Sequence, residues 1–318
     1  MDFSIEEAEV PSPGPDSIVV RNHYASLDPA QRGWMDHAPS YMPPIALGDA
    51  VRAATVGVVH ASAHPEFAPG DWVMGMNAIE DFSIVRPGNV MTKIDVTLVP
   101  SPTLFLSAMG ATGLTAYFGL LEHGRPKAGE TLLVSGAAGG VGSAVGQIGK
   151  IMGCHVVGIA GGQEKCRRLI QEYGFDAAID YRGKTVDQLA DEIARVIPNG
   201  ADIVFENVGG TVFDAELMNL ADHARIILCG MISEYNDPDP IGARNLRQIL
   251  IKSAALEGFL FIEHMSRFAE ASAEIVRWLA DGKLRIDEDV QLGLENSYSA
   301  FMRLFSGENI GKLILKII

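Results

Sequence analysis

The spacing of apolar residues changes near Leu104 and divides the chain into two regions. Before that point, short apolar runs alternate with stretches rich in proline and glycine, as expected of strands that are joined by irregular loops. Residues 18–21, 53–59 and 71–76 are the clearest of these runs. We therefore predict a β-rich domain in the first part of the chain.

After Leu104, near-continuous apolar runs alternate with segments whose apolar residues recur at helical spacing. Strands of this kind, separated by helices, indicate a parallel sheet that is covered on both faces. The predicted strands are residues 131–135, 155–160, 177–180, 203–205, 225–228 and 256–261, and the predicted helices are residues 142–152, 165–173, 186–196 and 265–280. The predicted fold class is α/β, with a Rossmann parallel-sheet domain and a β-rich domain.

The end of the chain is expected to rejoin the β-rich domain. An amphipathic segment at 297–305 precedes a last apolar run at 312–318, and no helix follows that run. The predicted domains are therefore residues 1–104 with 286–318 for a discontinuous β-rich domain, and residues 105–285 for the Rossmann domain. The length of 318 residues fits two domains of roughly 150 residues each.

Composition and charge narrow the classes of function. With 47% hydrophobic and 20% charged residues, the chain has the composition of a globular protein and not of a disordered one. The net charge of −15 disfavours nucleic acids and anionic membranes as partners, because their phosphates are repelled by an acidic surface. An anionic cofactor can still be held by local basic side chains and backbone N–H groups.

The cysteines and the first residues of the sequence indicate the cellular compartment of the protein. The three cysteines are scattered and form no CxxC pair, which excludes a disulfide framework and a four-cysteine zinc site. The first residues are acidic and lack the basic and apolar regions of a signal peptide. The uncharged stretch at 131–149 is rich in glycine and is a poor membrane span. These features predict a cytoplasmic protein.

A glycine turn at residues 136–142 lies between a predicted strand and a predicted helix. Its spacing, GxxGxxG, is a variant of the fingerprint that lets the backbone approach the pyrophosphate of a dinucleotide at a helix N-terminus. Tight packing of the helix on the strand is the alternative explanation, but the strand–turn–helix context favours the nucleotide. The predicted ligands are Gly136, Gly139, Gly140, Val141 and Gly142.

The end of the second strand of this sheet distinguishes NAD from NADP. NAD sites usually carry an acidic residue about 20 residues after the glycine turn, where it binds the ribose hydroxyls. Here residues 160–163 contain no carboxylate, and Lys165 follows them. A basic residue in place of the acid suits the 2′-phosphate of NADP, so we predict Lys165 as a ligand. Arg167 and Arg168 are explained more simply as a solvated helix face.

Several further motifs resemble those of one family. Residues 26–33 and 113–117, together with the glycine turn, resemble the medium-chain dehydrogenase/reductases. Four more motifs are similar to those of the zinc-independent branch of this family, at residues 161–166, 206–210, 229–236 and 309–312. This branch holds prostaglandin reductases, leukotriene hydroxydehydrogenase and bacterial curcumin reductase. The resemblance covers nearly the whole chain.

This resemblance implies an NADPH-dependent reductase that acts on the conjugated C=C bond of enones and enals. It also implies a GroES-like catalytic domain, a Rossmann NADP-binding domain and a homodimer. The reaction partner is then a small α,β-unsaturated carbonyl compound. Two alternatives stay open: a quinone reductase on the same scaffold, and a catalytically idle protein that only binds NADPH.

A catalytic metal is not expected. Zinc-dependent relatives carry a cysteine near the position of Asp28 and a Gly-His-Glu motif near Gly48. Here the second position reads Gly48-Asp49-Ala50, and the predicted β-rich domain contains no cysteine. The eight histidines are dispersed along the chain, so we predict no metal site.

Two tyrosines are the candidate catalytic residues. Tyr235 follows the strand at 225–228, at the carboxyl edge where open α/β sheets bind their ligands. A phenol there can hydrogen-bond the cofactor ribose or the substrate carbonyl, and packing on Pro238 is the alternative. Tyr41 lies in the proline-rich loop at 40–44. The resemblance implies that Tyr41 faces the cleft, and a purely aromatic packing role is the alternative.

The resemblance also implies further residues of the cofactor site. Asn207 and Asn309 are implied as hydrogen-bond partners of the cofactor, and Tyr181 matches a family residue near the adenosine phosphate. Residues 259–261 are implied beside the nicotinamide and the substrate, although they equally suit a core strand. The implied set is Tyr181, Asn207, Cys229, Gly230, Ile232, Ser233, Phe259, Leu260, Phe261 and Asn309.

Overall fold

The computed structural model describes residues 3–37, 40–86 and 91–318. Its strands are β1 (Ile18–Ser26), β2 (Arg52–Ser62), β3 (Trp72–Ala78), β4 (Phe82–Val85), β5 (Thr92–Lys93), β6 (Thr131–Val134), β7 (His155–Ala160), β8 (Ala177–Asp180), β9 (Ala201–Glu206), β10 (Leu220–Leu228), β11 (Ala255–Gly258), β12 (Glu288–Leu292) and β13 (Lys312–Lys316). Its α-helices are α1 (Ala30–Trp34), α2 (Ala111–Phe118), α3 (Gly140–Ile151), α4 (Gln163–Gln171), α5 (Val186–Val196), α6 (Gly210–Leu217), α7 (Arg247–Ile251), α8 (Phe268–Ala280) and α9 (Ser297–Ser306).

The chain folds as two compact units. The first unit contains Met1–Gly110, Glu288–Asn309 and Leu313–Ile318, and the second contains Ala111–Asp287 and Ile310–Lys312. Each unit is built on its own sheet, and the two sheets differ in the direction of their strands.

In the sheet of the first unit, β1 runs antiparallel to β2, β4 and β13, and β3 runs antiparallel to β2 and β5. In the described part of the chain its strands follow the order β12-β13-β1-β2-β3-β5, and β4 pairs with the first half of β1. The last strand, β13, runs antiparallel to β1, with Ile314 opposite Ser26. This pairing confirms the prediction that the last apolar run returns to the sheet of the first hundred residues.

Strand β1 lies inside this sheet, between β13 and β2, and most of its residues are buried. Ile18, Val19 and Val20 are fully buried, as their unbroken apolar run predicts. Asn22 is buried as well, but its polar atoms have partners. Its amide donates to the Ser83 hydroxyl at 2.9 Å, and its side-chain oxygen accepts from the Thr55 hydroxyl at 2.7 Å. The polar residue therefore costs little in the core.

The second unit contains a doubly wound parallel sheet. Its strands follow the order β11-β10-β9-β6-β7-β8, and the neighbouring strands are parallel. The chain starts at β6 in the middle, builds to one edge and then returns to build to the other, which is the Rossmann order. The central strands β6 and β9 pair along Leu132–Val134 and Ile203–Phe205, and all six of these residues are fully buried.

One predicted strand is shorter than its apolar run suggests. Residues 256–261 predict a strand, but β11 ends at Gly258, and a 3-10 helix at Phe261–Arg267 follows. The ring of Phe261 stacks on Phe268 of α8, with centroids 5.7 Å apart. Phe261 therefore packs on α8 and not in the parallel sheet, and α8 begins at Phe268 rather than at the predicted Met265.

Candidate cofactor and substrate site

The carboxyl ends of β6 and β9 meet where the strand order reverses. Open α/β sheets bind their ligands at such a switch point, in the crevice outside the carboxyl ends of the strands. Ser135 follows β6, and Asn207 follows β9. The second unit therefore offers its binding site at these two loops.

The glycine turn connects β6 to α3 with a backbone that favours glycine. Gly136 has a φ of +57°, and a Cβ atom on Gly142 would lie 2.4 Å from the carbonyl oxygen of Gly136. Gly139 is the N-cap of α3, and no side chain caps this helix within the described residues. The first turn, from Gly140, thus offers backbone N–H groups and a positive helix end, which fits a pyrophosphate.

Ser135 and Asn207 tie the two loops together. The Asn207 side-chain amide donates to the Ser135 carbonyl oxygen at 2.7 Å, and the Asn207 backbone N–H donates to the Ser135 hydroxyl oxygen at 2.9 Å. That hydroxyl donates in turn to the Glu206 carboxylate. Asn207 therefore positions the loop after β9, and its direct contact with a cofactor stays a prediction.

Glu206 is the buried centre of this arrangement, and the sequence pattern did not single it out. Its carboxylate accepts from the Val208 N–H at 2.7 Å and from the Gly209 N–H. Its carbonyl oxygen accepts from the N–H groups of Cys229 and Gly230, at 2.9 and 3.1 Å. Glu206 therefore holds the loops after β9 and β10 in one arrangement. The signals in the sequence are its place in the motif at 206–210 and its position as an acidic residue at the end of an apolar strand.

Burial near Glu206 changes the acidity of two neighbours. Glu216 of α6 is fully buried, and burial together with the Glu206 charge raises its pKa well above the usual range. Burial, with a smaller effect of Glu206, also raises the pKa of the Cys229 thiol to about 12. Burial therefore favours the neutral form of the Glu216 carboxyl, and Cys229 is a thiol and not a nucleophilic thiolate at neutral pH.

Tyr235 lines an open cavity of about 360 Å³ beside the loop after β10. Its hydroxyl oxygen accepts a hydrogen bond from the Met231 N–H at 3.2 Å. The structure thus brings the first catalytic candidate together with several residues that were predicted near the nicotinamide. The cavity lining includes Cys229, Gly230, Met231, Tyr235, Phe259 and Leu260.

Two further predicted residues of this loop contribute backbone hydrogen bonds. The N–H groups of Ile232 and Ser233 donate to the carbonyl oxygens of Asn207 and Val208, at 3.2 and 2.8 Å. They fasten the loop after β10 to the loop after β9. Phe261, the last of the predicted residues 259–261, packs on α8 as described above. Direct contacts of these three residues with a cofactor stay predictions.

A second cluster lies at the carboxyl ends of β7 and β8, around Asp180. Its carboxylate accepts from the N–H groups of Gly162 and Arg182, at 2.7 and 3.0 Å. Burial opposes ionisation of Asp180, but these backbone hydrogen bonds and the charges of Lys184 and Arg182 hold its pKa below the usual value. Asp180 therefore fixes the loop after β7 as a carboxylate.

Tyr181 and Lys165 border this loop. A Cβ atom built on Gly161 would lie 3.2 Å from the Tyr181 hydroxyl oxygen, so the phenol lies directly over this glycine. Lys165 is in the first turn of α4, which begins just after the loop. A phenol, a lysine and glycines without side chains fit a phosphate group, as the sequence predicts for this place.

Family models match both parts of the chain. Residues 1–94 match a model described as the N-terminal domain of oxidoreductase, and residues 140–277 match one described as zinc-binding dehydrogenase. The NADPH-dependent curcumin reductase of Escherichia coli (strain K12) is 40% identical over 99% of this chain and 92% of the relative. This chain belongs to the zinc-independent medium-chain dehydrogenase/reductases of the curcumin reductase type.

Two other members extend the comparison. The 2-alkenal reductase (NADP(+)-dependent) of Nicotiana tabacum is 39% identical over 96% of this chain and 88% of the relative. The crystal structure of CurA in complex with NADPH from Vibrio vulnificus has a TM-score of 0.92 and 41% identity, over 99% of this chain and 94% of that chain. As a member of the medium-chain dehydrogenase/reductases, the protein is an oxidoreductase. The predicted α/β fold class, with Rossmann and GroES-like parts, is confirmed.

The described residues form neither a metal-binding cluster nor a helix that could span a membrane. Residues 3–37, 40–86 and 91–318 contain no group of three or more His, Cys, Asp or Glu side chains that could hold a metal ion. Activity without a bound metal stays a prediction. In the same part of the chain, none of the helices is long and apolar enough to cross a membrane.

Tyr41 and Asn309 belong to the first unit. Tyr41 is about half exposed, and its ring meets Trp34 edge-on with centroids 6.4 Å apart. Asn309 is buried. It directly precedes the segment 310–312 of the second unit, in which the Gly311 N–H donates to the Ala138 carbonyl oxygen of the glycine turn at 2.9 Å. The catalytic role of Tyr41 and the cofactor role of Asn309 stay predictions.

Proposed function

We propose that this protein is an NADPH-dependent reductase of the conjugated C=C bond of enones and enals. The observation that carries the proposal is the Tyr235 hydroxyl in an open cavity on the sheet whose switch point holds the glycine turn. The names of two relatives, an NADPH-dependent curcumin reductase and an NADP-dependent 2-alkenal reductase, support this choice.

The residues of the second unit fit each part of NADPH. The first turn of α3 fits the pyrophosphate, Lys165 and Tyr181 fit the 2′-phosphate, and the cavity beside Tyr235 fits the nicotinamide end. When bound, NADPH supplies a hydride for the β-carbon of the conjugated system. The loops tied by Glu206 hold the walls of this site in place before any ligand binds.

Tyr235 is proposed to act on the carbonyl oxygen of the substrate. Negative charge develops on this oxygen as the β-carbon is reduced, and a hydrogen-bond donor placed there lowers the barrier. Phenols are ordinarily protonated at neutral pH and can donate. The Met231 N–H fixes the position of the Tyr235 oxygen. The α-carbon then takes a proton, and the product is the saturated carbonyl compound.

A panel of substrates tests this function. NADPH oxidation by the purified protein is measured with enals, enones, nitroalkenes and quinones, and the products are identified by mass spectrometry. We expect turnover of enals and enones to their saturated carbonyl products. Turnover of quinones alone would contradict the proposal and favour a quinone reductase. NADPH binding without turnover of any compound would favour a catalytically idle protein.

We also propose that the protein is a homodimer of the cytoplasm. Strand β11 is the edge of the parallel sheet, and its four residues are exposed. Leu250 and Ile251 of α7 are 79% and 56% exposed, and such apolar edges are usually covered by a partner. Cys154 and Cys166 are free thiols, which suits a reducing compartment.

A further inference from the structure

Arg182 lies at the loop after β7 and is not among the residues that the sequence predicts for the site. It directly follows Tyr181 at the end of β8. A Cβ atom built on Gly161 would lie 3.2 Å from Arg182 Nε, and one built on Gly162 would lie 3.2 Å from Arg182 Nη1. The guanidinium therefore lies against both glycines, at the place that the Tyr181 hydroxyl also reaches.

The other charged groups of this cluster already have partners. The Lys184 ammonium pairs with Glu192 at 2.6 Å and also donates to the Asp180 carbonyl oxygen. The Asp180 carboxylate is occupied by the backbone N–H groups of Gly162 and Arg182.

The Arg182 guanidinium differs from these groups. Arg182 is exposed, and within the described residues its guanidinium makes no hydrogen bond and no ion pair. By contrast, Arg167 of α4 donates to Gln171 at 2.9 Å. Its charge helps to lower the pKa of the nearby Asp180 carboxyl, but within the described residues the two side chains form no ion pair, so the guanidinium can still bind an anion at this loop.

We propose that Arg182 is a ligand of the 2′-phosphate of NADPH and a determinant of the preference for NADPH over NADH. A guanidinium can form two parallel hydrogen bonds to a phosphate, and such charge-assisted bonds are stronger than neutral ones. Because Gly161 and Gly162 have no side chains, the guanidinium and the Tyr181 hydroxyl can lie against this loop, where both can contact one phosphate. The inference rests on the NADPH dependence of the proposed function, and not on the identity of the substrate.

Binding of adenine nucleotides tests this role without any turnover. The affinities of 2′,5′-ADP and 5′-AMP for the full chain are measured by titration calorimetry. The variants are Arg182→Ala, Arg182→Lys and, as a matched control from the neighbouring helix, Arg167→Ala. We expect Arg182→Ala to weaken 2′,5′-ADP binding by about 10- to 100-fold and to leave 5′-AMP binding unchanged. Arg182→Lys should recover part of the loss, and Arg167→Ala should change neither affinity.

The outcomes separate this inference from the proposed function. If the wild-type protein binds 2′,5′-ADP and Arg182→Ala binds it equally well, Arg182 is not a phosphate ligand, and the reductase proposal is unaffected. An equal loss for 5′-AMP would also overturn the inference, because it would show a general disturbance of the loop. If the wild-type protein prefers 5′-AMP over 2′,5′-ADP, both the inference and the NADPH dependence fail.

Discussion

At the scale of single residues, the Tyr235 hydroxyl is the atom on which the proposed chemistry depends most. Replacing Tyr235 by Phe keeps the ring in the cavity and removes only the hydroxyl. If the hydroxyl donates to the carbonyl oxygen as charge develops, the loss should lower kcat by about 10²–10³, as for other donors of this kind. NADPH affinity should barely change. Steady-state kinetics on an enone and fluorescence titration with NADPH measure the two quantities.

Controls separate a donor from a cofactor ligand. Tyr298→Phe, at a partly exposed tyrosine of α9, should leave both quantities unchanged. Tyr181→Phe should weaken NADPH binding and have little effect on kcat at saturating NADPH. Wild-type kcat in Tyr235→Phe would exclude the donor role. A loss confined to NADPH affinity would make Tyr235 a ligand of the cofactor.

The sequence predicts some residues of the candidate site and not others. The sequence predicts the glycine turn because the need for glycine is local: a Cβ atom on Gly142 would clash with the carbonyl oxygen of Gly136, in the same turn. The sequence does not predict the burial of Glu216, because a glutamate in a helix is normally exposed and its burial here depends on the packing of α6. Arg182 is an ordinary surface arginine until β7 and β8 pair and bring it beside Gly161 and Gly162.

At the scale of elements, local signals predict helices and strands better than their ends. Helix α5 covers Val186–Val196 as predicted, since a capping box at Thr185 and Gln188 fixes its start. Strand β5 has only two residues, and pairing with β3 is what defines it. The short strand β5 and the end of β11 at Gly258 both depend on contacts with other elements. The spacing of apolar residues along the chain does not predict such contacts.

The exposed edge strand β11 carries a prediction at this scale. If β11 and α7 form the interface of a homodimer, light scattering should give the wild-type protein twice the chain mass of 34.1 kDa. The double variant Leu250→Lys with Leu256→Lys places two positive charges there and should shift the protein toward the monomer. Leu292→Lys, at an exposed leucine of β12, is the matched control and should stay dimeric. A monomeric wild-type protein would contradict the proposed dimer.

At the scale of the whole molecule, the return of the chain to its first sheet could be read from the sequence. The last apolar run has no helix after it, and β13 pairs with β1 across nearly the full length of the chain. The order of strands in the parallel sheet comes from the Rossmann resemblance and not from apolar spacing. Neither the apolar spacing nor the resemblance predicts the substrate of this protein, because the shape of its pocket depends on side chains whose positions the sequence pattern does not give.

The position of a transferred deuterium tests the proposed reaction most directly. The purified protein is given an α,β-unsaturated ketone and NADPH that carries deuterium at the transferable position of its nicotinamide ring. NMR of the product then locates the label. We predict a saturated ketone with deuterium on the β-carbon and a solvent proton on the α-carbon. Deuterium on the carbonyl carbon, in an allylic alcohol, would contradict the assignment of this protein as a C=C reductase.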